Sequence, residues 1–306
     1  MDDQGIDDHS RYLAEEVAYD WAGGLVSRRE ALRQLGLLGF SAMAATTLLG
    51  ACGDSGGDGA SGTSGSTAAP PTSSVPAPTA DATEAITWSG PTGQLRGAFA
   101  AAAAAAPKGA VLVIHENRGL TDHIRSVASR LAGDGYSALA VDLLSEEGGT
   151  ATLGDPAKAT AALNSAPPTR FVDDMRSGLD ELGRRAPGEK LGMVGFCFGG
   201  MMVWNLLAAG EPRLAAAAPF YGPANNTDFS RSRAAVLGVY AELDARVGAT
   251  RDAAAAGLQK AGLVHEVRTF PGVDHAFFND TGPRYQPEQA AAAYRALLDW
   301  FGRHLA

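Results

Sequence analysis

From about residue 84 to the C-terminus, short apolar runs alternate with longer segments of helical periodicity. Val111-Leu112-Val113-Ile114 is continuously apolar, which is typical of a strand buried on both faces of a sheet. The apolar runs predict strands at 95–99, 110–115, 137–141, 191–195, 215–221, 235–240 and 265–270. The segments between them predict helices at 122–132, 156–163, 169–185, 198–209, 250–261 and 287–304. This alternation predicts an α/β fold with a mostly parallel central sheet and helices on both faces.

The beginning of the chain has a different pattern. A polar, fairly acidic lead-in is followed by Arg28 and Arg29 and by an interrupted apolar stretch that ends at Ala51. The stretch is short and broken by Gly, Ser and Thr, which makes it a poor membrane-spanning helix. The paired arginines resemble a twin-arginine export signal, and Leu49-Gly50-Ala51-Cys52 resembles a lipobox. We therefore expect residues 1–51 to be an export signal and the lipobox cysteine to be lipidated after cleavage.

Residues 52–83 begin with that Cys52 and are rich in Gly, Ser, Thr, Ala and Pro. Such a composition buries too little apolar surface to offset its ordering entropy, so the segment is predicted to be a flexible tether. It would hold a domain over residues 84–306 at the outer face of the bacterial cytoplasmic membrane, or in the periplasm. Three alternatives stay open: a cytoplasmic protein with a chance Arg28-Arg29 pair, cleavage without lipidation, and an uncleaved anchor.

Composition excludes some functions. The formal net charge of −9 and the lack of a Lys or Arg block argue against a nucleic-acid partner, since phosphate binding needs a basic patch. The chain has two cysteines, Cys52 and Cys197, in such different contexts that separate roles are expected. The spacing of cysteines and histidines predicts no structural metal site, and we expect no cofactor.

The clearest chemical motif is Gly195-Phe196-Cys197-Phe198-Gly199-Gly200, which follows an apolar strand and opens a helix. A Gly-x-nucleophile-x-Gly turn holds its nucleophile in a strained conformation, and the two glycines let the strand and the helix approach closely. The helix N-terminus also favours negative charge on the nucleophile. The motif therefore indicates a nucleophile elbow of the α/β-hydrolase type with cysteine in place of serine. The alternative is a buried structural cysteine.

An acid and a histidine follow in the order that α/β-hydrolases use. Asp244 comes just after the strand at 235–240, and His275 lies in the loop after the last strand. Glu242 and Asp274 are rival acids, but Asp244 has the better spacing. We expect His275 to take the proton of the Cys197 thiol and Asp244 to orient the imidazole.

The same logic assigns an oxyanion hole. The amide of Phe198, first in the helix, is one expected donor, and the second comes from the loop after an earlier strand. In this chain that loop is His115-Glu116-Asn117-Arg118-Gly119, so the Asn117 amide is the candidate.

The elbow, the His115–Gly119 loop and His275-Ala276-Phe277 together resemble the dienelactone hydrolase (carboxymethylenebutenolidase) family over roughly residues 84–306. The resemblance implies hydrolysis of a small ester or lactone through Cys197. It also implies that Glu116 touches the thiol and controls its ionisation. A carboxylate there disfavours the thiolate by charge repulsion, which we expect to limit oxidation of the resting enzyme. The alternative for Glu116 is a solvated loop carboxylate.

One position departs from the family pattern. Family members that act on dienelactone carboxylates carry an arginine soon after the His-x-Phe motif, where this chain has Phe278-Asn279-Asp280. Arg118 or Arg284 are possible substitutes, although either is as consistent with a surface position. Tyr221 is expected to line the pocket or to pack in the core. Dienelactone itself is therefore in doubt as a substrate.

Two other functions compete with hydrolysis. A tethered, non-catalytic ligand-binding lipoprotein fits the lipobox and the tether, since function need not follow fold. Binding alone, however, does not require Cys197, Asp244 and His275 together. Thiol redox chemistry is weaker still, because the predicted domain holds no second, resolving cysteine.

Overall fold

The computed structural model describes residues 8–53 and 82–306. The strands are β1 Glu84–Ser89, β2 Gln94–Ala100, β3 Ala110–Ile114, β4 Ser137–Asp142, β5 Leu191–Phe196, β6 Leu214–Phe220, β7 Ala235–Ala241 and β8 His265–Phe270. The helices are α1 Asp8–Ala22, α2 Arg28–Leu37, α3 Ala42–Gly53, α4 Asp122–Gly133, α5 Thr150–Leu153, α6 Pro156–Ser165, α7 Pro168–Arg185, α8 Phe198–Ala209, α9 Ala245–Gly248, α10 Arg251–Lys260 and α11 Pro287–His304. Most of the predicted tether, residues 54–81, lies outside the described residues.

The strands form one sheet in the order β1-β2-β4-β3-β5-β6-β7-β8. β2 pairs antiparallel with β1 and β4, and the other neighbours pair in parallel. This confirms the predicted α/β fold, and the predicted strands and helices match the observed ones to within two residues at each end. The prediction lacked β1, a short edge strand in which only Ile86 and Trp88 are buried.

Apolar composition explains the centre of the sheet. Every residue of β3, β4 and β5 is buried, because helices cover both faces. A side chain at Gly192 would meet Phe301 in α11, whereas one at Gly195 would meet Val203 in α8. Side chains an odd number of positions apart point to opposite faces, so α8 and α11 lie on opposite sides of the sheet.

The three N-terminal helices pack on one another, and α1 and α2 also pack on the domain. α1 contacts α2 and α3, and α1 and α2 contact α6. Ser27 caps α2 by accepting a hydrogen bond from the Glu30 amide at 3.2 Å. Among the helices of residues 8–53 and 82–306, none is both long and apolar enough to cross a membrane.

We expect Gly195→Ala to lower the free energy of unfolding by about 1–3 kcal/mol, because the new Cβ would lie 2.8 Å from Val203 Cγ2 and against the backbone of Gly199. Gly183→Ala is the matched control, since Gly183 lies in α7 with open space around its Cα. The control should be neutral or stabilising by up to about 1 kcal/mol. Urea denaturation of both variants checks this, and equal stabilities would contradict the close approach.

Candidate active site

Cys197 occupies the turn between β5 and α8. Its φ of 55° lies in the left-handed region, which non-glycine residues seldom adopt. The turn is held by the Cys197 amide, which donates to the Phe220 carbonyl at 3.0 Å, and by the close contact of Gly195 with Gly199. The side chain is 3% exposed. The thiol therefore stands at the carboxyl end of the sheet, in a conformation fixed by its neighbours.

His275 and Asp244 meet beside this turn. Asp244 follows β7 and caps α9 by accepting from the Val247 amide at 3.1 Å. Its other carboxylate oxygen lies 2.5 Å from Nδ1 of His275, and both side chains are 1% exposed. A ring nitrogen of His275 lies within 4.8 Å of Cys197 Sγ. The structure thus brings the three residues together in the order thiol, imidazole, carboxylate.

The rival acids have other partners. Glu242 is exposed and accepts a hydrogen bond from the Gly272 amide at 2.7 Å. Asp274 accepts from the Tyr19 hydroxyl at 2.5 Å and from the backbone amide of His275 at 2.6 Å. Of these three acids, Asp244 is the one bonded to the His275 ring.

Burial and charge shift the pKa values of all three groups. Burial raises the pKa of Cys197, and the nearby Glu16 carboxylate raises it further. Burial alone would lower the pKa of His275, but Glu16 and Asp244 raise it well above its ordinary value. Burial opposes ionisation of Asp244, yet the charge and hydrogen bond of His275 lower its pKa. The surrounding charges therefore favour an ionic Asp244–His275 pair and oppose ionisation of the Cys197 thiol.

The loop after β3 is anchored by His115. Its Nδ1 donates to the Glu116 carbonyl at 2.6 Å, and its Nε2 accepts from the Leu143 amide at 3.1 Å. Burial lowers the pKa of this fully buried histidine, consistent with the neutral ring that these two bonds require. The ring also stacks on Phe198. His115 thus links the loop to the start of α8.

Cys197 and His275 line a cavity of about 230 Å³ with the loop after β3. Asn117 lines the same cavity. Phe198 is the first residue of α8, where an amide has no partner within the helix. The two amides expected to form an oxyanion hole thus belong to segments that border the thiol.

Glu116 is bound by two side chains, Asn279 of the cavity wall and the buried Tyr221 behind it. Asn279 donates to one of its carboxylate oxygens at 2.5 Å and the Tyr221 hydroxyl to the other at 3.4 Å. Tyr221 is fully buried with a φ of 35°, and it packs edge-on against His275. The Glu116 charge contributes to the raised pKa of Cys197. Asn279 belongs to the segment in which other family members carry an arginine. In this chain it holds Glu116 instead.

Sequence reasoning missed two residues of the site, and both lie in α1. The Tyr12 hydroxyl is 3.2 Å from Cys197 Sγ, and Glu16 Oε1 is 3.4 Å from His275 Nε2. A signal was present, because Leu13 and Val17 form an apolar pair at helical spacing within the polar lead-in.

Arg118 and Arg284 both line the cavity. Arg118 is exposed, whereas Arg284 is paired with Asp20 of α1 at 2.8 Å and with Asp274 at 3.6 Å. Arg118 is therefore the more accessible of the two cations for a substrate carboxylate.

One group of side chains has the composition of a metal site. The ligand atoms of Glu16, Cys197 and His275 lie within 4.8 Å of one another. Carboxylate, thiolate and imidazole are ligands that Zn²⁺ accepts. The ion pair of Glu16 with Arg246 at 2.5 Å places a positive charge beside this group, which disfavours a cation there.

The fold and the elbow define the class of α/β-hydrolases: a mostly parallel sheet carries a strained nucleophile turn at its carboxyl end, with an acid and a histidine in later loops. The model of the dienelactone hydrolase family matches residues 96–305, more than two thirds of the chain. The chain belongs to the dienelactone hydrolase family.

Curated relatives agree with this placement. A protein of Methylorubrum extorquens, provisionally named carboxymethylenebutenolidase, is 31% identical over 209 residues, which cover 63% of this chain and 72% of the relative. A protein of Escherichia coli K12 with the same provisional name is 28% identical over 212 residues, which cover 65% of this chain and 78% of the relative.

Solved structures agree as well. A provisionally named dienelactone hydrolase from Klebsiella pneumoniae superposes with a TM-score of 0.64 at 28% identity, covering 73% of this chain and 100% of that one. A dienelactone hydrolase from Anabaena variabilis, at 19% identity and a TM-score of 0.57, shares the fold and covers 73% of this chain and 98% of that one.

We expect Glu116→Gln to move the pH midpoint of Cys197 alkylation downward, because the variant removes a negative charge that disfavours the thiolate. Iodoacetamide rates against pH, followed by mass spectrometry of the Cys197 peptide, measure the midpoint. Glu189→Gln is the control, since Glu189 precedes β5 and Cys197 follows its opposite end. Coincident curves for wild type and Glu116→Gln would show that Glu116 does not govern the thiol.

Proposed function

We propose that this protein hydrolyses small esters or lactones through a Cys197–His275–Asp244 triad and an acyl-cysteine intermediate. One observation carries the proposal: the Asp244 carboxylate lies 2.5 Å from Nδ1 of His275, and the His275 ring has a nitrogen within 4.8 Å of the Cys197 sulfur. Membership of a hydrolase family supports the same reaction class.

Acylation begins when His275 Nε2 takes the thiol proton and Cys197 Sγ attacks the substrate carbonyl. The amides of Phe198 and Asn117 donate to the oxyanion that forms. Collapse of the tetrahedral intermediate breaks the carbon–oxygen bond, and the leaving alkoxide takes the proton from His275. In a lactone this alkoxide stays attached to the acyl group as a free hydroxyl.

Deacylation repeats these steps with water. His275 removes a proton from the water, whose oxygen attacks the thioester carbon. The intermediate expels Cys197, which recovers its proton from His275, and the carboxylic acid leaves. Asp244 stabilises the imidazolium in both halves without being protonated itself.

Glu116 is proposed to keep the resting Cys197 protonated until substrate arrives. Its hydrogen bonds with Asn279 and Tyr221 hold the carboxylate in the cavity wall, from which its charge acts on the thiol. Arg118 and Tyr221 are proposed as substrate-binding residues, since Arg118 lines the cavity with Cys197 and His275, and Tyr221 packs against the His275 ring.

We also propose that the enzyme is exported and anchored through a lipid on Cys52 outside the cytoplasmic membrane. Arg28 and Arg29 support this proposal, because both are exposed at the start of α2, where the export machinery could read them. Cys52 lies in the last turn of α3. The alternative of a non-catalytic binding lipoprotein is not favoured, because the family is one of hydrolases.

Cys197→Ala should reduce kcat on p-nitrophenyl esters by on the order of 10³-fold or more, because the covalent step is lost. Cys52→Ala is the matched control and should keep full activity. Rapid quench and mass spectrometry should find the acyl group on the Cys197 peptide of the wild type. Unchanged turnover by Cys197→Ala would refute the mechanism.

Asp244→Asn should lower kcat by roughly 10³–10⁴-fold, since an asparagine cannot stabilise the imidazolium and favours the wrong tautomer. Glu242→Gln tests the rival acid at the same strand end, and it should leave kcat unchanged because Glu242 is exposed. A larger loss in Glu242→Gln than in Asp244→Asn would reverse the assignment.

The full chain should prefer neutral substrates to substrates with a free carboxylate. Glu16, Asp20 and Glu116 line the cavity, and Asp20 occupies Arg284. We expect kcat/KM for a neutral ester to exceed that of a matched anionic monoester by about tenfold, the effect of one nearby like charge at a partly buried site. Equal or reversed values would show that Arg118 compensates for the missing arginine.

A further inference from the structure

Helix α1 is seated directly over the site rather than beside it. One face of the helix is buried against the rest of the protein, and its apolar members are Tyr12, Leu13, Ala14, Val17 and Ala18, none more than 3% exposed. Arg11 lies on the opposite, solvent-facing side and pairs with Glu15 at 2.9 Å. An amphipathic helix of this kind is held by its buried stripe.

The Tyr12 hydroxyl lies in the space next to Cys197 that the substrate carbonyl needs. Its hydroxyl is 3.2 Å from Cys197 Sγ. Attack requires the carbonyl carbon at roughly 3–3.5 Å from the nucleophile, so an atom at this distance competes with the substrate for the same space. The docked tyrosine therefore shields the nucleophile.

Glu16 engages the base of the same triad. Its Oε1 lies 3.4 Å from His275 Nε2, close enough for its negative charge to stabilise a protonated ring. His275 consequently lies between two carboxylates, Asp244 and Glu16, which together stabilise the imidazolium. An imidazolium cannot take the Cys197 proton. The docked helix therefore also prevents His275 from acting as the general base.

Ion pairs hold α1 in this position. Arg246 binds Glu16 at 2.5 Å and lies 4.9 Å above the ring of Tyr12. Arg284 binds Asp20 at 2.8 Å, and its guanidinium lies 5.0 Å above the ring of Tyr19. Arg246 lies in α9, which Asp244 caps, and Arg284 lies in the same loop after β8 as His275.

We propose that α1 is an intramolecular inhibitor that occupies Cys197 and His275 until the N-terminal segment leaves the domain. α1 lies outside the region that the family model matches, residues 96–305, so the family's chemistry does not require it. The proposal rests on the hydrolase function proposed above. In the exported form proposed above, cleavage before Cys52 removes α1 together with the export signal, which restricts activity to the exported enzyme.

The first test uses point variants of the full chain. Glu16→Gln keeps the shape of the side chain but not its charge, and we expect it to raise kcat/KM on p-nitrophenyl acetate about tenfold. Glu15→Gln makes the same change one residue earlier, on the solvent side, and should match the wild type. Tyr12→Ala should accelerate iodoacetamide labelling of the Cys197 peptide by about tenfold or more.

The second test needs no variant of α1. A specific protease site is inserted within residues 54–81, and the folded full chain is cleaved and separated from its N-terminal fragment. Both the hydrolysis rate and the Cys197 labelling rate should rise. Because Arg246 and Arg284 lose Glu16 and Asp20, the preference for neutral over anionic esters should also shrink. If α1 were instead required for catalysis, the hydrolysis rate would fall after its removal.

These outcomes separate the two proposals. Hydrolysis that is equal or lower in Glu16→Gln and after cleavage, with unchanged labelling, overturns the inhibitor and leaves the hydrolase function intact. Faster labelling without hydrolysis of any ester or lactone in a panel supports the shielding helix and refutes the hydrolase function.

Discussion

The turn at Cys197 is the constraint on which the site depends. β5 ends at Phe196 and α8 begins at Phe198, so a single residue reverses the chain, with a φ of 55°. The turn closes because Gly195 and Gly199 allow backbone contact, and a Cβ at Gly199 would lie 2.6 Å from the His115 carbonyl oxygen. This contact places α8 against the end of β3, and so brings the loop after β3 to the thiol.

Parallel pairing supplies the remaining groups. β5, β6, β7 and β8 lie side by side and parallel, so the loops that follow β7 and β8 emerge at the same edge as Cys197. Asp244 and His275 come from those two loops and bond to each other at 2.5 Å. The site is thus assembled from residues that follow strand ends, and the pairing of the strands fixes their relative positions.

Burial makes the charges in this site strongly interdependent. Cys197, Asp244 and His275 are almost fully buried, so each carboxylate in reach acts on the imidazole or the thiol with little screening by water. Glu116 and Glu16 both oppose the thiolate, and they differ in origin. Glu116 belongs to the matched family domain, whereas Glu16 arrives on α1 and is held there by Arg246.

The sequence by itself determined the α/β fold, most element boundaries and the candidate nucleophile, base and acid. Those features are local: an apolar run makes a buried strand, and the glycines of the elbow meet within a few residues. Tertiary structure decided what sequence spacing does not encode. Tyr12 and Cys197 are 185 positions apart, and Asn279 and Glu116 are 163 apart. Such contacts depend on how helices and loops pack against one another. The position of α1 over Cys197 and His275 could therefore be seen only in the tertiary structure.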